Sequence, residues 1–226
     1  MLFQIRTTVV GLLAMFFLSS YASATILQFD TRAYSGAAQN SAAGYISTIT
    51  ALMAAPATPG YGDSSLSIYD NVSNNRIFGG PQTDIASLST FDFGAATAGV
   101  WDFRFGVDFG LGGAVALDGA ALTYRTTDMW WGGSYSATES FIVSADVSAG
   151  NHELTLYGLE NCCDGGMQAE FRAPGGNWTI FSAVDGLNLM VTSQSGQQRT
   201  AVPEPASLAV IGLAVAGLGW ARRRRT

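Results

Sequence analysis

The segment Val100 to Val107 constrains the fold most. Trp101, Phe103, Phe105 and Val107 alternate with Val100, Asp102, Arg104 and Gly106. A period of two with one aromatic face is the signature of a strand with one side buried. Asp102 and Arg104 share the other face, where they can pair. Further short strands are predicted at Thr25–Asp30, Ala114–Leu117, Ala121–Tyr124, Ser140–Ala145, Glu153–Tyr157, Gln168–Arg172 and Trp178–Phe181. Turn residues punctuate the later ones: Asp118-Gly119, Gly132-Gly133, Ala149-Gly150-Asn151, Gly165-Gly166 and Pro174-Gly175-Gly176. One helix is predicted, capped by Ser41, with a stripe of Tyr45, Ile46, Ile49, Leu52 and Met53 and with Pro56 beyond its end. Gly60 to Gly80 reads as a long loop, and Gly36 to Gly99 is weakly patterned. Many strands at regular spacing predict a mostly β protein, an antiparallel β-sandwich or jelly roll with one short helix.

Both ends of the chain are hydrophobic. At the start, Arg6, the apolar run Val9–Leu18 and the small residues Ala22-Ser23-Ala24 read as a signal peptide over residues 1–24, cut by signal peptidase before Thr25. At the other end, Gln194 begins a polar linker, residues 194–202. Pro203-Glu204-Pro205 follows, then sixteen uncharged residues from Ala206 to Ala221, then Arg222-Arg223-Arg224-Arg225. As a helix the apolar run spans about 24 Å at about 1.5 Å per residue. That is one turn short of a bilayer core of about 30 Å. Trp220 suits the interface, and the Arg side chains can snorkel outward. The run is predicted to be a single transmembrane helix, with the Arg cluster as a cytoplasmic stop.

The body between these ends, residues 25–193, is one domain's worth of chain. It holds no lysine, and between positions 25 and 200 sixteen acids face six arginines. Such a surface offers no cationic footprint for phosphates, which excludes a nucleic-acid role.

The tail resembles the sorting signal of PEP-CTERM proteins, found in Gram-negative bacteria that make exopolysaccharide. The resemblance implies export and inner-membrane anchoring with the domain in the periplasm. An exosortase then cleaves near Pro203-Glu204-Pro205, and the product moves to the cell surface or extracellular matrix. Val100 to Phe181, with Asp108, Ala114–Leu117, Asp118-Gly119, Trp130, Gly150, His152, Glu160, Gly166 and Pro174-Gly175, resembles the protective-antigen-type β-sandwich of flocculin and GLEYA adhesins. That resemblance implies an extracellular module facing carbohydrate. In lectins of this type two adjacent Asp hold calcium. The matching positions here are Asp108 and Phe109, so calcium at this place would draw on Asp108 with Asp118, and Asp102, if the loops converge. Asp118-Gly119 reads equally as a hairpin turn. Cys162-Cys163-Asp164-Gly165, preceded by Tyr157-Gly158-Leu159-Glu160, resembles the CCXG subset of sorting-tail proteins.

Cys162 and Cys163 are the only cysteines. An oxidising compartment favours a disulfide, and a bond between neighbours would close a rigid turn able to present a flat apolar patch to a sugar. Intermolecular bridges and free thiols are the alternatives. Met129-Trp130-Trp131-Gly132-Gly133-Ser134-Tyr135 gathers large side chains in a Gly-bounded loop, and Trp130 and Trp131 are candidate stacking platforms for sugars, beside Asp108, Asp118 and Asp164 as polar ligands. Edge packing over the sandwich is the other reading of the aromatic loop. No enzyme is predicted. His152, the sole histidine, lies in a turn. Glu139, Glu153, Glu160 and Glu170 read as solvated strand residues, and no carboxylate pair stands out. The expected function is an exported, non-enzymatic surface or matrix protein associating with exopolysaccharide or other glycans. The second expectation is a structural adhesion protein stiffened or cross-linked by its Cys pair; the third is a carbohydrate-active enzyme.

Overall fold

The computed structural model describes residues 24–136 and 138–190. The expected signal peptide, the linker 194–202, the transmembrane helix 206–221, Pro203-Glu204-Pro205 and the Arg222–Arg225 cluster lie outside the described residues.

In chain order the elements are β1 (Ile26–Ala33), α1 (Ala42–Met53), β2 (Asp63–Leu66), β3 (Asp70–Val72), α2 (Asn74–Phe78), β4 (Ile85–Ala95), β5 (Gly99–Gly106), β6 (Asp108–Phe109) and β7 (Gly113–Leu117). There follow β8 (Ala120–Arg125), β9 (Met129–Trp130), β10 (Ser140–Val147), β11 (Gly150–Glu160), β12 (Met167–Arg172) and β13 (Thr179–Ile180). The larger sheet runs β2-β1-β4-β11-β7-β8. The second runs β10-β5-β12-β13, with β3 also on β12, and β6 and β9 form a short ribbon. Every pairing is antiparallel.

The aromatic face of β5 does what its alternation predicts. Trp101, Phe103 and Phe105 enter the core between the sheets, against Phe91 and Phe93 of β4 and Phe171 of β12. Phe91 lies 4.8 Å from Phe181 and 4.9 Å from Tyr69, ring to ring, in tilted contacts. Each such ring removed from water stabilises the fold by about 1.5–3 kcal/mol. The polar face differs from expectation. Asp102 and Arg104 do not pair with each other. Arg172 donates to Asp102 from the register position opposite on β12, and Arg104 donates to Glu170 in the same way. Directly opposed side chains on neighbouring strands lie closer than residues two apart on one strand.

The outer face of the larger sheet is covered by α1. Ser41 caps it as predicted, its Oγ accepting the Gly44 N–H at 3.1 Å. Tyr45 and Ile49 are fully buried on Ala86, Ala114, Ala116 and Leu159. The small alanines let the helix lie close, and the Tyr45 hydroxyl donates to the Leu111 carbonyl at 2.6 Å.

One expectation needs correcting, and one open stretch is filled in. The stretch Gly60–Gly80 is no plain loop, since it carries β2, β3 and a second helix, α2, capped by Ser73. The weakly patterned Gly36–Gly99 stretch holds β4, which pairs with both β1 and β11 at the centre of the larger sheet.

The ends of the described body meet. Thr25 Oγ1 donates to Asp185 Oδ1 and to the Leu187 carbonyl. Met190 and Asn151 exchange hydrogen bonds of 2.6 and 2.8 Å beside the first residues of β11.

Candidate functional site

At the other end of β11 the loops converge on a cleft of about 360 Å3, lined by Asp108, Gly110, Asp128, Trp130, Asn161 and the two cysteines. Its floor is the β6–β9 ribbon. Asp108 faces Trp130 and Phe109 faces Met129 in register. Paired residues point to the same side of a ribbon. Phe109 and Met129 therefore go together into the core, at 1% and 0% exposure, while Trp130 is 64% exposed beside Asp108. Phe109 also explains Gly158: a Cβ there would lie 2.1 Å from its ring.

One wall is the loop after β11. Cys162 and Cys163 are bonded to each other, and both are exposed. That pairing takes up both sulfurs, against the alternative of bridges between chains. Cys163 has φ 80°, a left-handed conformation costly for a non-glycine residue. Its surroundings hold it there. The N–H groups of Cys163 and Asp164 both donate to the Gln82 carbonyl, at 2.8 and 3.0 Å. The Cys162 N–H donates to Glu160 Oε1 at 2.5 Å, and the Gly165 N–H to Asp108 Oδ2 at 2.8 Å.

Electrostatics centre on two carboxyls. Burial pushes Asp108 up to about 6. The Gly165 N–H works against this, and the charges of Asp128 and Asp164 add to it. Glu160, 3% exposed, is pushed up to about 7, again chiefly by burial, with the Cys162 and Gly110 N–H groups pulling the other way and Asp108 adding to the rise. Glu160 is therefore not the solvated strand residue expected. It ties the end of β11 to both cleft loops.

The remaining sequence candidates separate. Trp131 turns away from the cleft and lies over Gly106, where a Cβ would meet its ring at 2.2 Å, with Tyr135 5.5 Å away. Asp164 faces α2: its two carboxylate oxygens accept the N–H groups of Asn74 and Asn75. Asp118 is not brought to Asp108. With φ 50° it takes the first place of a hairpin turn, followed by Gly119 at φ 78°. Its carboxylate accepts the Glu153 N–H and lies 2.7 Å from His152 Nδ1, while His152 Nε2 lies 2.9 Å from the Ser148 carbonyl. Glu153 and Glu160 are seven residue steps apart along β11, roughly 23 Å of strand. Sequence reasoning missed Asp128 and Asn161, which no periodicity marks.

The donor set does not suit calcium. The ion takes six to eight oxygens. Of the carboxylates here, Glu160 is occupied by two N–H groups and Asp164 by two more. Phe109, next to Asp108, is buried and brings no oxygen ligand from its side chain. Among the described residues no three His, Cys, Asp or Glu side chains are grouped to hold a metal.

Comparison with known families matches residues 201–225 to the PEP-CTERM protein-sorting motif. The chain carries that motif, which marks an exported protein. The match covers the tail alone and does not bear on the Cys-Cys-X-Gly segment. No curated protein matches the chain. Among solved structures, the chain is similar to the PA14 sugar-binding domain from an RTX adhesin at 16% identity, covering 71% of this chain and 97% of that one, with a TM-score of 0.45. It is similar to the PA14 domain of an antifreeze protein at 11% identity, covering 85% and 99%, with a TM-score of 0.49. It is also similar to the Epithelial Adhesin 9 A domain from Candida glabrata, solved with Galb1-4GlcNAc, at 11% identity, covering 76% and 92%, with a TM-score of 0.45.

Proposed function

We propose that this chain is an exported, non-enzymatic glycan-binding domain, which its tail delivers through an exosortase to the cell surface or matrix. Signal peptidase cuts before Thr25, the segment 206–221 holds the intermediate in the inner membrane with its domain in the periplasm, and Arg222–Arg225 stay cytoplasmic. The carrying observation is the Trp130 ring, 64% exposed at the lip of a cleft that Asp108, Asp128 and Asn161 also line. A sugar has one C–H face and a rim of hydroxyls. The indole offers a flat apolar surface, and the disulfide adds a second apolar patch. Asp108, Asp128 and Asn161 supply acceptors for hydroxyl donors, and the Asn161 amide also donates. Two carboxylates in one cleft repel uronates, so neutral sugars of an exopolysaccharide are the preferred class.

A glycan array run with and without calcium tests this reading. Neutral glycans are retained in both conditions, and both Trp130→Ala and Asp108→Ala lose them. An empty array, or retention unchanged in both variants, overturns the reading. Release of reducing sugar from bound polysaccharide replaces it with a carbohydrate-active enzyme.

A further inference from the structure

A second cleft adjoins the first. It measures about 740 Å3 and is walled by Ala38, Gln39 and Asn40 on one side and by Tyr124–Thr127 on the other. No carboxylate lines it. The first cleft begins at the next residue, Asp128, and continues to Trp130. One segment of seven residues thus borders both clefts in succession, with its crossing point at Thr127-Asp128. The clefts share one end of the sandwich. Arg125 of the second pairs with Gly113 at the start of β7, three residues from Gly110 of the first.

Exposed aromatic rings are scarce. Among the described residues the exposed large apolar side chains include just two aromatics, Tyr124 at 46% and Trp130 at 64%. They stand at the two ends of this segment. Extended at about 3.3 Å per residue, the path from one to the other reaches up to roughly 20 Å, longer than a single sugar ring. Asn40, Thr126 and Thr127 add amide and hydroxyl groups on the way, the partners that sugar hydroxyls use.

We propose that the glycan is held as an internal stretch of a chain, several neutral sugars long, laid along Tyr124–Trp130 with the two aromatic rings as separate platforms. This rests on the glycan-binding reading, and it differs from capture of one terminal sugar at Trp130.

The exported protein is first run by affinity electrophoresis through gels holding galactomannan, xylan or mixed-linkage β-glucan. Calorimetry then follows with the monosaccharide to the hexasaccharide of the retained polymer. Affinity is expected to rise about ten-fold or more with length. Tyr124→Ala, and Thr127→Arg as a block at the crossing point, should remove that rise while leaving monosaccharide binding in place. Melting curves establish that both variants fold. Equal affinity for monosaccharide and hexasaccharide, or a hexasaccharide affinity untouched by both variants, overturns the extended groove and leaves the single-sugar cleft standing. No retention by any polymer, together with an empty array, overturns both.

Discussion

Replacing Glu160 by Gln should change how stability depends on pH more than stability itself. Glu160 is 3% exposed, and its two oxygens accept the N–H groups of Cys162 and Gly110. Burial raises its carboxyl from 4.5 to about 7. The unfolded chain gives up this proton near 4.5, whereas the folded chain keeps it to about 7. Between those values the folded state binds more protons, so the contribution is fully present below 4.5 and is lost as pH rises through 7. At about 1.36 kcal/mol per unit, the rise corresponds to at most roughly 3 kcal/mol. Gln has no proton to lose. Its amide NH2 must face one of the two N–H donors, at a cost of about 1–3 kcal/mol. The variant should therefore be weaker than the parent at pH 4.5, and level with it or stronger at pH 8. Urea midpoints followed by tryptophan fluorescence at both values measure this. Asp108, pushed up to about 6, leaves a smaller slope of the same sign in both proteins. A gap between variant and parent that is the same at pH 4.5 and pH 8 would refute the reasoning.

Three further outcomes follow from the packing. Gly158→Ala places a methyl 2.1 Å from the Phe109 ring; it should cost about 1–3 kcal/mol, visible in the urea midpoint, and should weaken glycan binding by moving the β6–β9 floor. Tyr69→Phe removes a fully buried hydroxyl that lies 2.7 Å from Ser89 Oγ and leaves that serine unpaired, a loss of about 1–3 kcal/mol in the same assay. Chelation with EDTA should change neither the melting temperature nor glycan retention; a fall in either would show a metal that the side chains of Asp108, Glu160 and Asp164 do not provide for.

The sandwich was legible where one face is purely apolar. β5 is the clear case, because Trp101, Phe103 and Phe105 all enter the core and Asp102 and Arg104 all stay out. β4 was hidden by the opposite situation. Its core-facing series contains Ser87 and Ser89, satisfied by Gly158 and Tyr69, and its other face is covered by α1, so Ala86 and Leu88 are apolar too. Alternation vanishes when both faces are covered. The same burial on both sides of β11 made Glu160 look solvated when it is enclosed. At the site, the Cys pair was plain because the two residues adjoin. The division between Trp130 and Trp131 was not, because it rests on a ribbon of two residues per strand, too short to carry a period. Asp118 was legible as a turn residue from Asp-Gly, and misleading as a partner of Asp108, because residue types do not disclose which end of a strand they reach.

The strand β11 spans the distance between two poles of the body. Thr25 is tied to Asp185 and Leu187, and Met190 to Asn151 near the start of β11, whereas the cleft opens beyond Glu160. Asn151 and Glu160 are nine residue steps apart on extended chain, roughly 30 Å. The described body thus begins and ends at one pole and opens its cleft at the other. Contacts made at the pole of Thr25 and Met190 therefore leave the cleft mouth uncovered.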